Sequence, residues 1–169
     1  VTLSMTGTST TLLPDGQWLV LGGETTTGPV ATARMYDPVR QTPRTLDEEL
    51  LHARAYHTAT LLADGHVLIL GGEGKDGIPV TTAELFNPET AMFQTLSDLG
   101  LIARTHHGAT LLADGRLLIT GGRNARGTVL ATAELFNPFS SEVTRFYATL
   151  GTARLSHTAT LLPNHQVLI

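Results

Sequence analysis

Residues 53–73 read ARAYHTATLLADGHVLILGGE, and the chain writes this line again as ARTHHGATLLADGRLLITGGR at 103–123 and as ARLSHTATLLPNHQVLI at 153–169. A degraded copy, TTLLPDGQWLVLGGE, occupies 10–24. Gly-Gly pairs at 22–23, 71–72 and 121–122 set a period of 49 and then 50 residues. Asp-Gly recurs in step at 15–16, 64–65 and 114–115, with Asn164-His165 in its place in the last copy. Asp37-Pro38, Asn87-Pro88 and Asn137-Pro138 mark a later turn. A fixed period of this length is the sign of a repeat architecture in which each unit is one supersecondary element. The units run approximately 5–50, 51–100 and 101–150, and 151–169 opens a fourth.

Each unit is expected to hold four short antiparallel strands. In the clearest copy these are HTATLLA (57–63), HVLIL (66–70), TTAELF (81–86) and AMFQTL (91–96). Asp64-Gly65 reads as a two-residue hairpin turn, because both residues tolerate positive φ. Asn87-Pro88 stops the third strand. Apolar residues do not recur at helical spacing over any useful length. The first two strands are apolar on both faces: Leu61 and Leu62 point opposite ways, as do Leu68 and Ile69. Strands of that kind need cover on both sides. Like sheets stacked face to face provide it, and a four-stranded sheet repeated radially is a β-propeller blade.

The residues also carry a family resemblance. Gly-Gly ends the second strand, Arg precedes the first, an acid or amide followed by Pro ends the third, and Phe93 stands five positions past Pro88. In these features the chain resembles kelch-repeat β-propellers, in the bacterial form with His-Thr-Ala-Thr-Leu-Leu and Ala-Glu-Leu-Phe. The resemblance covers essentially all of residues 1–169, as an incomplete all-β propeller of three blades plus the start of the next. It extends to the central domain of galactose oxidase. Unit one departs from the pattern, with Met5 and Thr8 in the places of Arg and His, and Pro43 and Val143 replace the aromatic.

Composition narrows the function classes. The chain of 169 residues has a net charge of −4, one lysine among 11 basic residues, and no cysteine. Nucleic-acid binding works through clustered Lys and Arg, so no such partner is expected. Without cysteine there is no disulfide, thiolate nucleophile or thiolate metal site. The compartment stays open, extracellular and periplasmic settings included. No stretch approaches the roughly 20 apolar residues of a membrane helix, so no membrane insertion is expected. A ring of typically 4–8 blades takes further blades, from flanking sequence or from self-association of two copies.

Positions that repeat are expected to be frame. Arg54, Arg104 and Arg154 precede His57, His107 and His157 by three residues, and Glu84 and Glu134 recur on the third strand. An Arg, His and Glu set invites a catalytic reading, but a group needed once per active site has no reason to recur in every unit. Repeated hydrogen bonds between units give that reason. Gly71, Gly72, Gly121 and Gly122 read as structural, supplying positive φ or close backbone approach. No catalytic residue, metal or cofactor is assigned. His106 and His107 are adjacent and would point to opposite faces of a strand.

Positions that vary are the candidates for function. By antiparallel connectivity, the loops after Gly-Gly and the segments before the first strands share one face, and the Asp-Gly and Asn-Pro turns share the other, which is nearly uniform. The slot between Arg and His holds Tyr56, His106 and Ser156, three chemistries at one place. Lys75, Asp76, Arg123, Asn124 and Arg126 lie in the loops after Gly-Gly. Varied chemistry on a fixed frame is what a binding surface looks like. The resemblance implies that ligands engage this loop face. The reading is a non-catalytic module for a protein segment or carbohydrate. The rival is a fragment of a galactose-oxidase-like copper-radical oxidase, whose Tyr–Cys centre would lie outside this cysteine-free chain.

Overall fold

A computed structural model describes residues 5–97, 99–146 and 150–169. Among these residues the regular structure is β, with three four-stranded antiparallel sheets and two two-stranded ones, apart from one 3-10 turn. Unit one holds β1 (Ser9–Leu12), β2 (Trp18–Leu21), the short ladder β3 (Glu24–Thr25) and β4 (Gly28–Pro29), β5 (Ala33–Asp37) and β6 (Thr42–Thr45). Unit two holds β7 (Thr58–Leu61), β8 (Val67–Leu70), β9 (Ala83–Asn87) and β10 (Met92–Leu96). Unit three holds β11 (Gly108–Leu111), β12 (Leu117–Thr120), β13 (Ala133–Asn137) and β14 (Glu142–Arg145). β15 (Thr160–Leu161) and β16 (Val167–Leu168) begin a fourth. Within each full unit the strands pair in chain order. The first strands converge: β7 lies beside β1 and β11, and β11 beside β15.

The two-faced second strand explains the stacking. On β8, Val67 and Ile69 join a core with Leu19, Leu21 and Met35 of unit one. Leu68 and Leu70 join a second core with Leu117, Ile119 and Phe136 of unit three. Leu61 and Leu62 divide between the same two cores. Each fully buried side chain of this size contributes about 1.5–3 kcal/mol. A lone sheet would forfeit half of that.

The hairpins differ from the expectation. The Leu62 amide donates to the His66 carbonyl (2.8 Å) and the Gly65 amide to the Leu62 carbonyl (3.1 Å). The loop therefore has three residues, 63–65, and of Asp64 and Gly65 only Gly65 takes positive φ (88°). Asp64 instead turns its carboxylate onto the His66 amide (3.1 Å). The last copy keeps the same loop, with no added residue: Asn164 accepts from the Gln166 amide (3.1 Å) and His165 adopts φ 63°. That hairpin carries the strain a glycine avoids elsewhere.

Among the repeated residues, the structure separates two jobs that the sequence reading merged. Arg54 and Glu84 act inside one unit. The Arg54 guanidinium donates to Glu84 (2.7 Å), to the Gly71 carbonyl (2.9 Å) and to the Thr82 carbonyl (3.1 Å). Glu84 also accepts the Leu51 and His52 amides (2.7 and 3.0 Å). Both side chains are fully buried. Arg104 and Glu134 repeat the pair at 2.5 Å. Removing one partner of such a pair strands a buried charge, at about 3–5 kcal/mol. The histidines work between units: the ring of His57 bonds the Ser9 hydroxyl (2.7 Å) and that of His107 the Thr58 hydroxyl (3.0 Å). The glycine pairs also join units. Gly72 donates to the Arg104 carbonyl (3.0 Å), and a Cβ on Gly71 would sit 2.5 Å from that same oxygen.

Unit three varies this joint in a compensated way. Gly108 stands where Ser9 and Thr58 supply the hydroxyl, and its cross-strand partner is Thr120, where the earlier units have Leu21 and Leu70. Thr120 takes over the bond to His157 (2.8 Å). A Cβ on Gly108 would lie 2.9 Å from the His157 ring nitrogen and 3.0 Å from the Thr120 hydroxyl. Gly108→Thr alone is expected to destabilise by about 1–3 kcal/mol through overpacking. Adding Thr120→Leu should recover most of the loss, because the pair then matches unit two. Urea unfolding of the double-mutant cycle reads the coupling.

A second expectation follows from the buried imidazoles. Burial, with Arg54 second, holds the pKa of His57 at about 3. Burial, then Arg104, does the same for His107 at about 3. The unfolded chain takes up these protons near pH 6.5 and the folded chain only near 3, so stability present above pH 6.5 is lost as pH falls through that window. The slope is about 1.4 kcal/mol per pH unit for each histidine. Unfolding free energies measured between pH 7 and 4 should show it, and His107→Gln should reduce the slope by one histidine's share.

Candidate functional site

The slot between Arg and His has one backbone conformation in all four units. Tyr56, His106 and Ser156 have φ of 54°, 54° and 51°, and Gly7, their counterpart in unit one, has 72°. This left-handed region costs a side-chain-bearing residue about 1 kcal/mol or more and suits glycine. The reason for the turn is a chain of hydrogen bonds running from unit to unit. The Tyr56 amide donates to the Gly7 carbonyl (2.8 Å), the His106 amide to the Tyr56 carbonyl (3.0 Å) and the Ser156 amide to the His106 carbonyl (2.8 Å). The rim backbone is thereby occupied with itself, and what varies along it is side chain. His106 lies outside β11, so the strand-face reasoning applied to His106 and His107 does not govern it. The two still part company: His107 is buried at the joint and His106 lies on the rim.

Two rings meet there. Tyr56 and His106, from neighbouring units, stack with centroids 4.1 Å apart at 16°. The Tyr56 ring leans over Gly7, where a Cβ would lie 3.0 Å from the ring edge. Glu24 and Glu73 complete the group. The Tyr56 hydroxyl donates to Glu24 (3.0 Å), and that bond raises its pKa. Arg123 donates to Glu73 (2.9 Å). Thr105 bonds the His106 Nδ1 (2.9 Å). Burial first and Arg123 second lower the His106 pKa, against the opposing pull of Glu73 and Glu24. A neutral imidazole, a phenol and two anchored carboxylates form a stacking and hydrogen-bonding surface. Among the described residues no set of three or more His, Cys, Asp or Glu side chains could hold a metal ion.

The candidates divide on the structure. Tyr56, His106 and Arg123 come together, and Ser156, exposed, continues their line. Lys75, Asp76 and Arg126 sit exposed at loop tips, Asp76 with φ 59° in a 3-10 turn spanning Lys75–Gly77. The Asn124 side-chain oxygen accepts the amides of Arg126 and Thr128 (both 3.0 Å), so it shapes its own loop. Glu24 and Glu73 were missed by the sequence reading. The signal was present: Glu24, Glu73 and Arg123 each follow a Gly-Gly, and each pairs by a β-bridge with Thr6, Ala55 or Thr105 next to the slot.

No protein-family model and no curated protein sequence matches the chain. Among solved structures it is similar to that of YjhT, with a TM-score of 0.75 over 88% of this chain at 13% identity. The match takes in 53% of the YjhT chain, so this chain spans about half its length. A likeness at that identity concerns the fold, and it agrees with repeated four-stranded sheets of the β-propeller kind.

Ser156 is exposed and its backbone angle favours glycine. Ser156→Gly is expected to be neutral or stabilising, by up to about 1 kcal/mol, in urea unfolding. A loss of more than about 1 kcal/mol would show that this side chain holds the fold.

Proposed function

We propose that the chain is part of a kelch-type β-propeller, with blades at 5–50, 51–100 and 101–150 and the next opening at 151–169, serving as a non-catalytic binding module. Its ligand is a protein segment or a carbohydrate, engaged on the rim face. The observation that carries this reading is the Tyr56–His106 stack, raised on backbone positions where glycine would be easier. Backbone strain clusters at functional sites, and here it carries two stacked rings, unlike the left-handed turn positions Gln41, Ala91 and Ser141, which carry no ring. Stacked rings flanked by Glu24, Glu73 and Arg123 offer both apolar contact and fixed polar partners, the usual make-up of a recognition surface. Ser156 and the loop residues Lys75, Asp76 and Arg126 extend it outward.

Peptide and glycan arrays probed with the intact chain test this. Tyr56→Gly and His106→Gly keep the rim conformation while removing the rings. Each is expected to weaken binding by about tenfold or more, which is 1.4 kcal/mol, with the unfolding midpoint nearly unchanged. Binding that survives both substitutions would place the site elsewhere.

A further inference from the structure

The face opposite the rim is not uniform. Between units one and two lies a cleft of about 390 Å³ lined by Leu13, Pro14, Asp15, Asp64, His66, Pro88 and Glu89 among others. Leu13 belongs to the core beneath. The two prolines have fixed φ, so the walls are formed in advance. Asp15 and Asp64 shape their hairpins, accepting the amides of Gln17 (2.9 Å) and His66 (3.1 Å). The Asp64 carboxylate also lies 3.3 Å from the His66 ring. Asp15, Asp64 and Glu89 are exposed.

The next junction differs at three positions, Ala63 for Pro14, Arg116 for His66 and Phe139 for Glu89. Phe139 stands at the place of Glu89, and its ring lies over Gly115, 3.5 Å from where a Cβ would be. The second junction thus carries an aromatic ring, itself 63% exposed, where the first carries the Glu89 carboxylate. Arg116 likewise replaces His66 and pairs with Asp114 (2.6 Å). At the second junction a basic side chain of the chain itself meets the turn carboxylate.

We infer that the cleft between units one and two is a docking site for a basic segment of a partner protein, whose arginine or lysine lies across Leu13, Pro14 and Pro88 and pairs with Asp64 and Glu89. Charge complementarity selects this occupant: three carboxylates ring an apolar floor, and an arginine stem covers apolar surface while its head pairs with carboxylates. Pre-formed walls reduce the ordering that binding requires.

The probe is the peptide acetyl-Ala-Arg-Ala-amide added to the intact chain, with acetyl-Ala-Gln-Ala-amide as control, followed by amide shifts of Gly16 and Gly65. The arginine peptide should bind saturably with a Kd of roughly 1 mM, weakening with salt. Asp64→Asn leaves the turn bond possible, since Asn164 makes it in the last unit, and should weaken binding several-fold. Glu89→Phe copies Phe139 and should abolish it. An equal response to the glutamine peptide, unchanged affinity in Glu89→Phe, or no shift at either glycine would overturn the assignment.

Discussion

A strand with apolar side chains on both faces cannot be left half covered, and β8 is such a strand. Val67 and Ile69 go one way, Leu68 and Leu70 the other. The demand passes along the chain, because every sheet that covers a neighbour has a second apolar face of its own. Stacking is thus the condition of folding rather than a later assembly step, as in repeat proteins whose units lean only on adjacent units. The polar features follow from where this stacking leaves the chain ends of each sheet. The path from a fourth strand to the next first strand must cross the rim with backbone groups to satisfy. Glu84 meets the amides of Leu51 and His52 there, and Arg54 meets the carbonyls of Gly71 and Thr82.

Unit one shows what happens when that device is absent. Met5 takes the place of Arg54, and Arg34 pairs with Val20 as Glu84 pairs with Ile69. The acid and base of the later units are both gone, and the small hollow that remains is lined by Met5, Thr8, Val20, Gly22, Thr32 and Arg34. The sheet still forms, because its registers and its shared core with unit two do not depend on the charge pair. The buried pair therefore fixes the crossing segment, while apolar stacking fixes the sheet.

The repeat made the strands legible, since four copies of one pattern reveal which positions alternate and which turn. It made the joints legible only as a set of repeated letters. Nothing in the spacing says that Arg54 stays within its unit while His57 reaches 48 residues back to Ser9. Nor does it distinguish the turns that need a glycine from those that merely contain one. Asp64 was expected to share the strained backbone of Gly65, but a three-residue loop gives that task to the glycine alone. Tyr56, His106 and Ser156 were legible as a varied slot because identity surrounds them. Glu24 and Glu73 were not, because they look like the end of a repeated Gly-Gly-Glu until Arg123 breaks the pattern.

The left-handed slot ties these levels together. In unit one it holds Gly7, the residue the backbone asks for, and the Tyr56 ring occupies the space that a side chain there would fill. His106 then stacks on Tyr56, while Ser156 is too small to extend the stack. The order glycine, tyrosine, histidine, serine is thus a spatial sequence, with one ring supported from below by an empty position and the next supported by a ring. Separating the tyrosine from the histidine along this line would lose the stack, while the rim hydrogen bonds themselves are made by backbone. At this slot frame and surface are separable, because main-chain bonds link the units there and the side chains differ from unit to unit.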